Sequence, residues 1–414
     1  MAQHSAEIAI AGGGVIGLSI ALTLAAEGRE VVVFDPNEPG SGASYGNAGT
    51  VANYAVLPLG TPAVLRNLPA LLFDSGSPLS IRLAAVPALA PWLLRFARQS
   101  LPAAMKRNAV AIAALLAEAM PAWDALAVAA GATDLFRRRG VLYAYDGKAA
   151  FEQARWEIEL RRALGVAQEQ LTADELAALE PGLPHFAGGA LFFPQAVNFS
   201  DPGTMMGRLA AAAAAQGVQF VRARVDGFAR ERGGVAIEAG KERWKATRLV
   251  IAAGAHSRPL AVMAGDRVPL DTERGYHVEF DMVEPPVTRP VCPTSRGFYL
   301  VPMAGRLRVA GTVELGGLAA PANPRRLALL ENGARSYFPG LGKPSRTWLG
   351  FRPSMPDSVP VIGPSGGGDE VILAFGHGHL GLTLAPVTAR MVSALVAGRQ
   401  PTLPPAPYSP RRFA

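Results

Sequence analysis

One cysteine, Cys292, in 414 residues excludes a disulfide framework and any cysteine-built metal cluster within the chain. The residue reads as a small buried hydrophobe. Met1–Glu7 reads as too short and polar for a signal peptide, because an apolar strand pattern starts at Ile8. A cytoplasmic location is the expectation. The apolar stretch Leu83–Leu94 is broken by Pro87 and Pro91 and bracketed by Arg82, Arg95 and Arg98. It falls short of the roughly 20 residues that span a bilayer. No nucleic-acid-binding module, fixed-period repeat or long low-complexity linker is visible, and no acid/base constellation stands out.

With half of its residues hydrophobic and 18% charged, the chain reads as globular and long enough for two domains. Its +7 net charge is concentrated in Arg95–Arg107 and Arg137–Arg138–Arg139. That pattern fits a solvated basic face or loose attachment to an anionic membrane surface.

The strongest signal is Ile8–Ala11 running into Gly12-Gly13-Gly14-Val15-Ile16-Gly17, a strand, a G-x-G-x-x-G turn and a helix in order. Gly12 permits the tight turn, Gly14 lets backbone approach a pyrophosphate, and Gly17 lets the helix pack on the strand. The helix (Leu18–Glu27) presents its N-terminus to phosphates. Val31–Phe34 is the next strand, and Asp35 follows Gly12 by 23 residues, where a carboxylate accepts from ribose hydroxyls.

This nucleotide half is discontinuous. A helix over 199–216, a strand over 218–225, a meander over 226–245 and a buried strand over 249–254 return to it, and Glu370–Phe375, Gly376–Gly381 and a helix over 382–396 repeat the strand, turn, helix theme. A helical section (62–135) and a strand-rich section with alternating residues at 276–280 and 307–310 form a second, capping domain. The Pro-rich end after Gln400 reads as a surface tail. The fold class is α/β: a Rossmann-like domain over 1–57, 199–262 and 350–414, and a mixed-sheet plus helical cap over 58–198 and 263–349.

Four segments in this order resemble the D-amino-acid oxidase family of FAD flavoproteins, most closely its bacterial D-amino-acid dehydrogenase branch. They are the N-terminal fingerprint, Gly42–Gly49, Gly350-Phe351-Arg352-Pro353 with Pro356-Asp357 and Pro360–Gly363, and Gly376–Thr383. The resemblance implies FAD held by Gly12, Gly14, Val15, Ile16, Gly17, Asp35, Pro36, Ser44, Gly46, Asn47, Ala48, Val225, Ala253, Gly254, Gly376, Gly378, His379, Leu380, Gly381, Leu382 and Thr383. The last glycine turn would face the flavin edge that gains negative charge on reduction. Noncovalent attachment is implied, since the loop around Ala43 has no histidine and Gly350 stands where a cysteine would be expected.

The resemblance further implies that Arg352 clamps a substrate carboxylate, with Tyr299 or Tyr276 as the hydroxyl beside it. His379 would sit over the flavin, His377 would be structural, and Tyr54 lies where a relative has a lid tyrosine. The reaction implied is hydride transfer from Cα to flavin, with no protein base required if the amine binds neutral. The pattern is closest to dehydrogenases of D-proline or hydroxy-D-proline; glycine/sarcosine-type and 2-hydroxyacid oxidation are alternatives, as is a non-catalytic electron-transfer subunit. The partners implied are a small amino or imino acid and a quinone or other electron acceptor, at the inner membrane face if the basic patches attach there.

Overall fold

A computed structural model describes residues 3–67 and 77–414. The first sheet has eight strands, and its parallel core is built from segments far apart in sequence. Gln219–Val221, Val31–Phe34, Gln3–Ala11, Glu242–Ile251 and Gly368–Phe375 lie side by side in parallel. The inner parts of these strands read as unbroken apolar runs because helices cover one face and a meander with a short helix covers the other. Val225–Glu231 and Gly234–Ala239 form that antiparallel meander with Glu242–Ile251. The expected strand over 218–225 is therefore two strands, because its ends take different partners on opposite sides of the sheet.

Val15–Ala26 is buried along most of its length between the sheet, Pro202–Ala215 and Gly381–Val396. Asp201 caps Pro202–Ala215 by accepting from Thr204 N at 2.8 Å. Pro102–Ala129 and Gly378–Val396 are apolar and long enough to cross a membrane by length and composition. Here their apolar side chains make core: Ile112, Leu115, Trp123 and Leu126 pack with Leu382 and Leu384, and Trp123 Nε1 donates to Leu382 O at 2.9 Å. This corrects the assignment of the whole 58–198 segment to the cap. The apolar stripe of 102–129 covers the nucleotide-side helices, and a stripe in sequence does not reveal which surface it will cover.

The second sheet has nine strands, with Arg346–Ser354 at one edge followed by Asp271–Asp281, Arg306–Leu315, Phe298–Met303 and Val291–Pro293. Arg352 thus belongs to the cap sheet, which moves the domain boundary at 350 toward 355. The alternation at 276–280 predicted one wet face, yet Thr272 to Phe280 are all buried. Tyr276, Val278 and Phe280 enter the cap core, and the polar set on the other face is covered by the 42–49 loop. The C-terminus is packed, not a free tail: Tyr408 is buried with its hydroxyl donating to Ala111 O at 2.9 Å, and Arg412 pairs with Asp357 at 2.9 Å.

Backbone packs tightly against backbone at the first turn. A Cβ on Gly17 would lie 1.9 Å from Gly12 O, and one on Gly12, at φ +113°, would lie 2.4 Å from Ala252 O. Gly17→Ala therefore overlaps backbone with no side chain to yield. It should lower thermal stability by about 1–3 kcal/mol and strip yellow colour from the purified protein; an unchanged melting curve would refute this packing role.

Candidate active site

The two sheets enclose a cavity of about 1350 Å³. At its nucleotide end, Asp35 accepts from Gly13 N at 2.8 Å and Asn37 N at 2.9 Å, and Ser44 Oγ accepts from Val15 N at 2.9 Å. Asp35 thereby locks the glycine turn while its remaining lone pairs stay available to a ribose. Ser44 still has its O–H to donate toward a phosphate at the helix N-terminus. Gly12, Gly14, Val15, Ile16, Pro36, Gly46, Asn47, Ala48, Val225, Ala253, Gly254, Gly378, Gly381 and Leu382 also line the cavity.

Gly17, Gly376, Leu380 and Thr383 do not border it. Gly17 is a packing glycine. Gly376, at φ +82°, turns the chain against Met355. Leu380 is core, and Thr383 Oγ1 accepts from Ala52 N at 3.0 Å.

The loop that covers the middle of the cavity is fixed from outside. Arg308 donates to the carbonyls of Tyr45 and Asn47, and His277 Nδ1 meets Gly46 O at 3.1 Å. Asn47 uses its own side chain to accept from Gly49 N at 2.8 Å. Three successive carbonyls are thus turned to the cap sheet, and the loop's other side faces the cavity. His277 stacks on Trp348 (5.1 Å, 13°). The Trp348 ring occupies the space where a Cβ of either Gly46 or Gly350 would stand.

Glu279 holds this arrangement together. Its carboxylate accepts from Arg306 Nε (2.8 Å), Arg308 Nε (2.7 Å) and Arg346 Nε (2.7 Å), and Arg306 reaches on to Asp201 at 2.5 Å. Burial alone would raise its pKa, but Arg308, Arg306 and Arg346 hold it down to about 2. Burial and the neighbouring Arg308 push His277 down to about 4, so at neutral pH the ring is neutral and donates Nδ1–H to Gly46 O.

At the far end, Arg352 folds over Gly275, where a Cβ would lie 2.4 Å from its guanidinium carbon. Its Nη1 donates to Thr312 O at 3.0 Å, which leaves N–H groups for a ligand. Thr312 holds φ +59°, a strained conformation for a β-branched residue. Beside it, Tyr299 and Tyr143 share a hydrogen bond at 2.8 Å, and Tyr54 stacks on Phe193 at 4.1 Å. Burial pushes Tyr143 up to about 12 and Tyr299 and Tyr54 well above the usual phenol value, so all three stay neutral.

Tyr276 also borders the cavity, but its hydroxyl is separated from this group. Its hydroxyl donates to Glu314 and accepts from Asn323 N at 3.2 Å, on the opposite face of the sheet. His379 faces the cavity, and burial together with Arg352 pushes it down to about 4. His377 is buried on Thr388 (2.9 Å) and pushed down to about 3 by that burial.

Sequence reading missed Glu273, Thr312, Tyr143 and Trp348, all on the cavity wall. Trp348, Gly350 and Arg352 alternate along one strand, a period-2 signal that was available in the sequence.

Two helix N-termini facing one glycine-lined cleft, with a carboxylate at one end, suit a dinucleotide carrying a second anionic edge. A family model described as FAD dependent oxidoreductase, DAO, matches residues 7–395. The chain belongs to the DAO family. It is 38% identical over 422 residues to a D-amino-acid oxidase of Bradyrhizobium diazoefficiens, covering 98% of each, and 32% identical over 436 residues to D-amino acid dehydrogenase 2 of Ralstonia nicotianae, covering 97% of this chain and 99% of the relative. In fold it is similar to glycine oxidase from Geobacillus kaustophilus (TM-score 0.77, 24% identity, 98% of each chain). L-proline dehydrogenase from P. horikoshii is similar as well (TM-score 0.76, 21% identity, 100% of this chain and 98% of the other). This DAO-family protein is an FAD-dependent oxidoreductase acting on amino donors, and the cleft just described fits that cofactor.

Removing the carboxylate of Glu279 leaves the buried Arg308 without a carboxylate partner, and leaves Arg306 with Asp201 alone. Glu279→Ala should cost about 3–5 kcal/mol and lower FAD retention on dilution. Because the folded-state pKa is depressed, the stabilisation from Glu279 is present above the unfolded value and is lost as pH falls toward about 2. Acid melts of wild type and variant should converge there; parallel melts at every pH would refute the linkage.

Proposed function

We propose that this protein dehydrogenates small neutral D-amino acids or cyclic D-imino acids of the D-proline or hydroxy-D-proline type. The single observation that carries this reading is Arg352, held on the cavity wall by Thr312 and Gly275, beside a compact wall of Tyr54, Tyr143 and Tyr299. The full-length relatives named for D-amino acids support the substrate class. Bound FAD, held without a covalent link, supplies the two-electron acceptor.

Arg352 takes the α-carboxylate in a bidentate grip. Tyr299, kept neutral, offers a hydroxyl to the same end of the substrate. The Tyr54 and Tyr143 rings limit the side chain to a small one, and the Gly381 helix end favours the negative charge left on the reduced cofactor. Rate comes from orienting the Cα–H bond.

The membrane reading rests on a separate surface. Leu83, Leu94 and Leu101 are 87%, 57% and 53% exposed, and Arg95, Arg98, Lys106 and Arg107 are exposed beside the last two. Apolar and basic groups together suit an anionic bilayer. We place the protein at the inner face of the cytoplasmic membrane, passing electrons to a quinone.

Arg352→Ala should raise KM for D-proline by about 100-fold or more with FAD still bound; unchanged kinetics would remove the clamp. Anaerobic titration should bleach the flavin with D-proline, hydroxy-D-proline or small neutral D-amino acids. Bleaching only by glycine, sarcosine or 2-hydroxyacids would overturn the substrate class. The protein should sediment with anionic vesicles and not neutral ones, and Leu94→Ser with Leu101→Ser should reduce this; equal partition would end the membrane reading.

A further inference from the structure

Asp271–Asp281 and Arg306–Leu315 carry three buried glutamates, and two of them are saturated. Glu279 holds three arginines, and Glu314 meets Arg82, Arg274 and Tyr276 on the far face. Glu273 is different. It is 4% exposed and borders the cavity directly across the strand pair from Arg352. Among the described residues no cation lies within salt-bridge distance of its carboxyl, and the hydroxyl of Ser354, two positions beyond Arg352 on the partner strand, is the polar side chain that stands against it.

A buried carboxylate with no cation to pair it costs stability, so its presence on the substrate wall calls for a cationic ligand group that completes it. We propose that Glu273 accepts the proton that the substrate's ammonium group loses before hydride leaves Cα. This rests on the amino- or imino-acid reading above.

An amino acid reaches the site with its nitrogen protonated. Arg352 takes the carboxylate, and the nitrogen, two bonds from the carboxylate carbon through Cα, meets the carboxyl that lies across the strands from Arg352. One N–H bond breaks and its proton goes to a Glu273 oxygen, giving a carboxylic acid and a neutral amine. The Cα–H electron pair then passes to FAD as hydride, and the nitrogen lone pair closes the C=N bond.

Burial raises the pKa of Glu273, while Arg352 and the Ser354 hydroxyl oppose that rise. The other groups around it leave its charge unmatched. Arg306–Leu315 offers uncharged Thr312 and turns Glu314 to the other face, the glycine turn offers neutral His379, and Asp271 on the same strand accepts from Thr272 N at 2.7 Å.

The test compares wild type with Glu273→Gln as FAD-loaded proteins, using D-proline. At pH 7 the variant should lose about 100-fold or more in kcat/KM, because alkylammonium groups titrate some two to three pH units higher. It should regain about tenfold per pH unit on raising the pH, while wild-type kcat/KM falls only as pH drops through the raised Glu273 pKa. An indicator dye should report one proton released per site on productive binding to the variant and none with wild type. Cyclopentanecarboxylate, which has no nitrogen, should perturb the flavin spectrum equally in both, showing an intact clamp.

A variant as active as wild type at pH 7, or one impaired by the same factor at every pH, would overturn the proposal. So would a loss confined to D-lysine and D-arginine, which would make Glu273 a side-chain reader. If the variant fails to fold, the wild-type acid limb and proton count still decide, since release of a proton by wild type at pH 7 overturns it. A wild-type flavin that no amino or imino acid bleaches would instead overturn the substrate reading, whatever Glu273 does.

Discussion

The carboxylate of Glu279 is the constraint on which the cofactor cleft depends. Three arginines converge on it, and two of them extend to the nucleotide side, Arg308 to the carbonyls of the 42–49 loop and Arg306 to the cap of the Pro202–Ala215 helix. Charged groups this deeply buried are tolerable only when paired and hydrogen-bonded. The cap sheet and the nucleotide-side loop therefore share one satisfied network, and neither can shift without orphaning charges in the other.

That network also explains why one face of the Asp271–Asp281 strand changes character along its length. Its odd-numbered residues run from the Glu279 cluster through His277, stacked on Trp348, to Gly275 under Arg352 and finally to Glu273. The first stretch anchors backbone, the middle is flat because glycines leave room for ring and guanidinium, and the last presents a carboxyl across the strands from Arg352 without an ion pair. The even-numbered face carries Tyr276 into the cap core, so two tyrosines that look equivalent in sequence have unrelated surroundings.

Much of the nucleotide half was legible because its signals are local. Gly12 is required by its own positive φ and Gly17 by its contact with Gly12 O within one turn, Asp35 sits at the end of the next strand, and Asp201-Pro202 marks a helix start. The cap was less legible because its polar residues are buried by partners distant in sequence. Alternation at 276–280 implied a solvated face, and nothing nearby announces that Arg308 and the 42–49 loop will cover it.

By itself the sequence determined the cofactor class, the strand, turn and helix that receive its phosphates, and the presence of an arginine in a matched segment. Those features depend on backbone conformation and spacing within a few residues. Only the tertiary structure decided that Arg352 stands on the cap sheet opposite Glu273, that the hydroxyl of Tyr299 and not that of Tyr276 meets Tyr143, and that helices from 102–129 close the nucleotide core. Strand register and long-range packing set these, and a face is chosen by what lands on it.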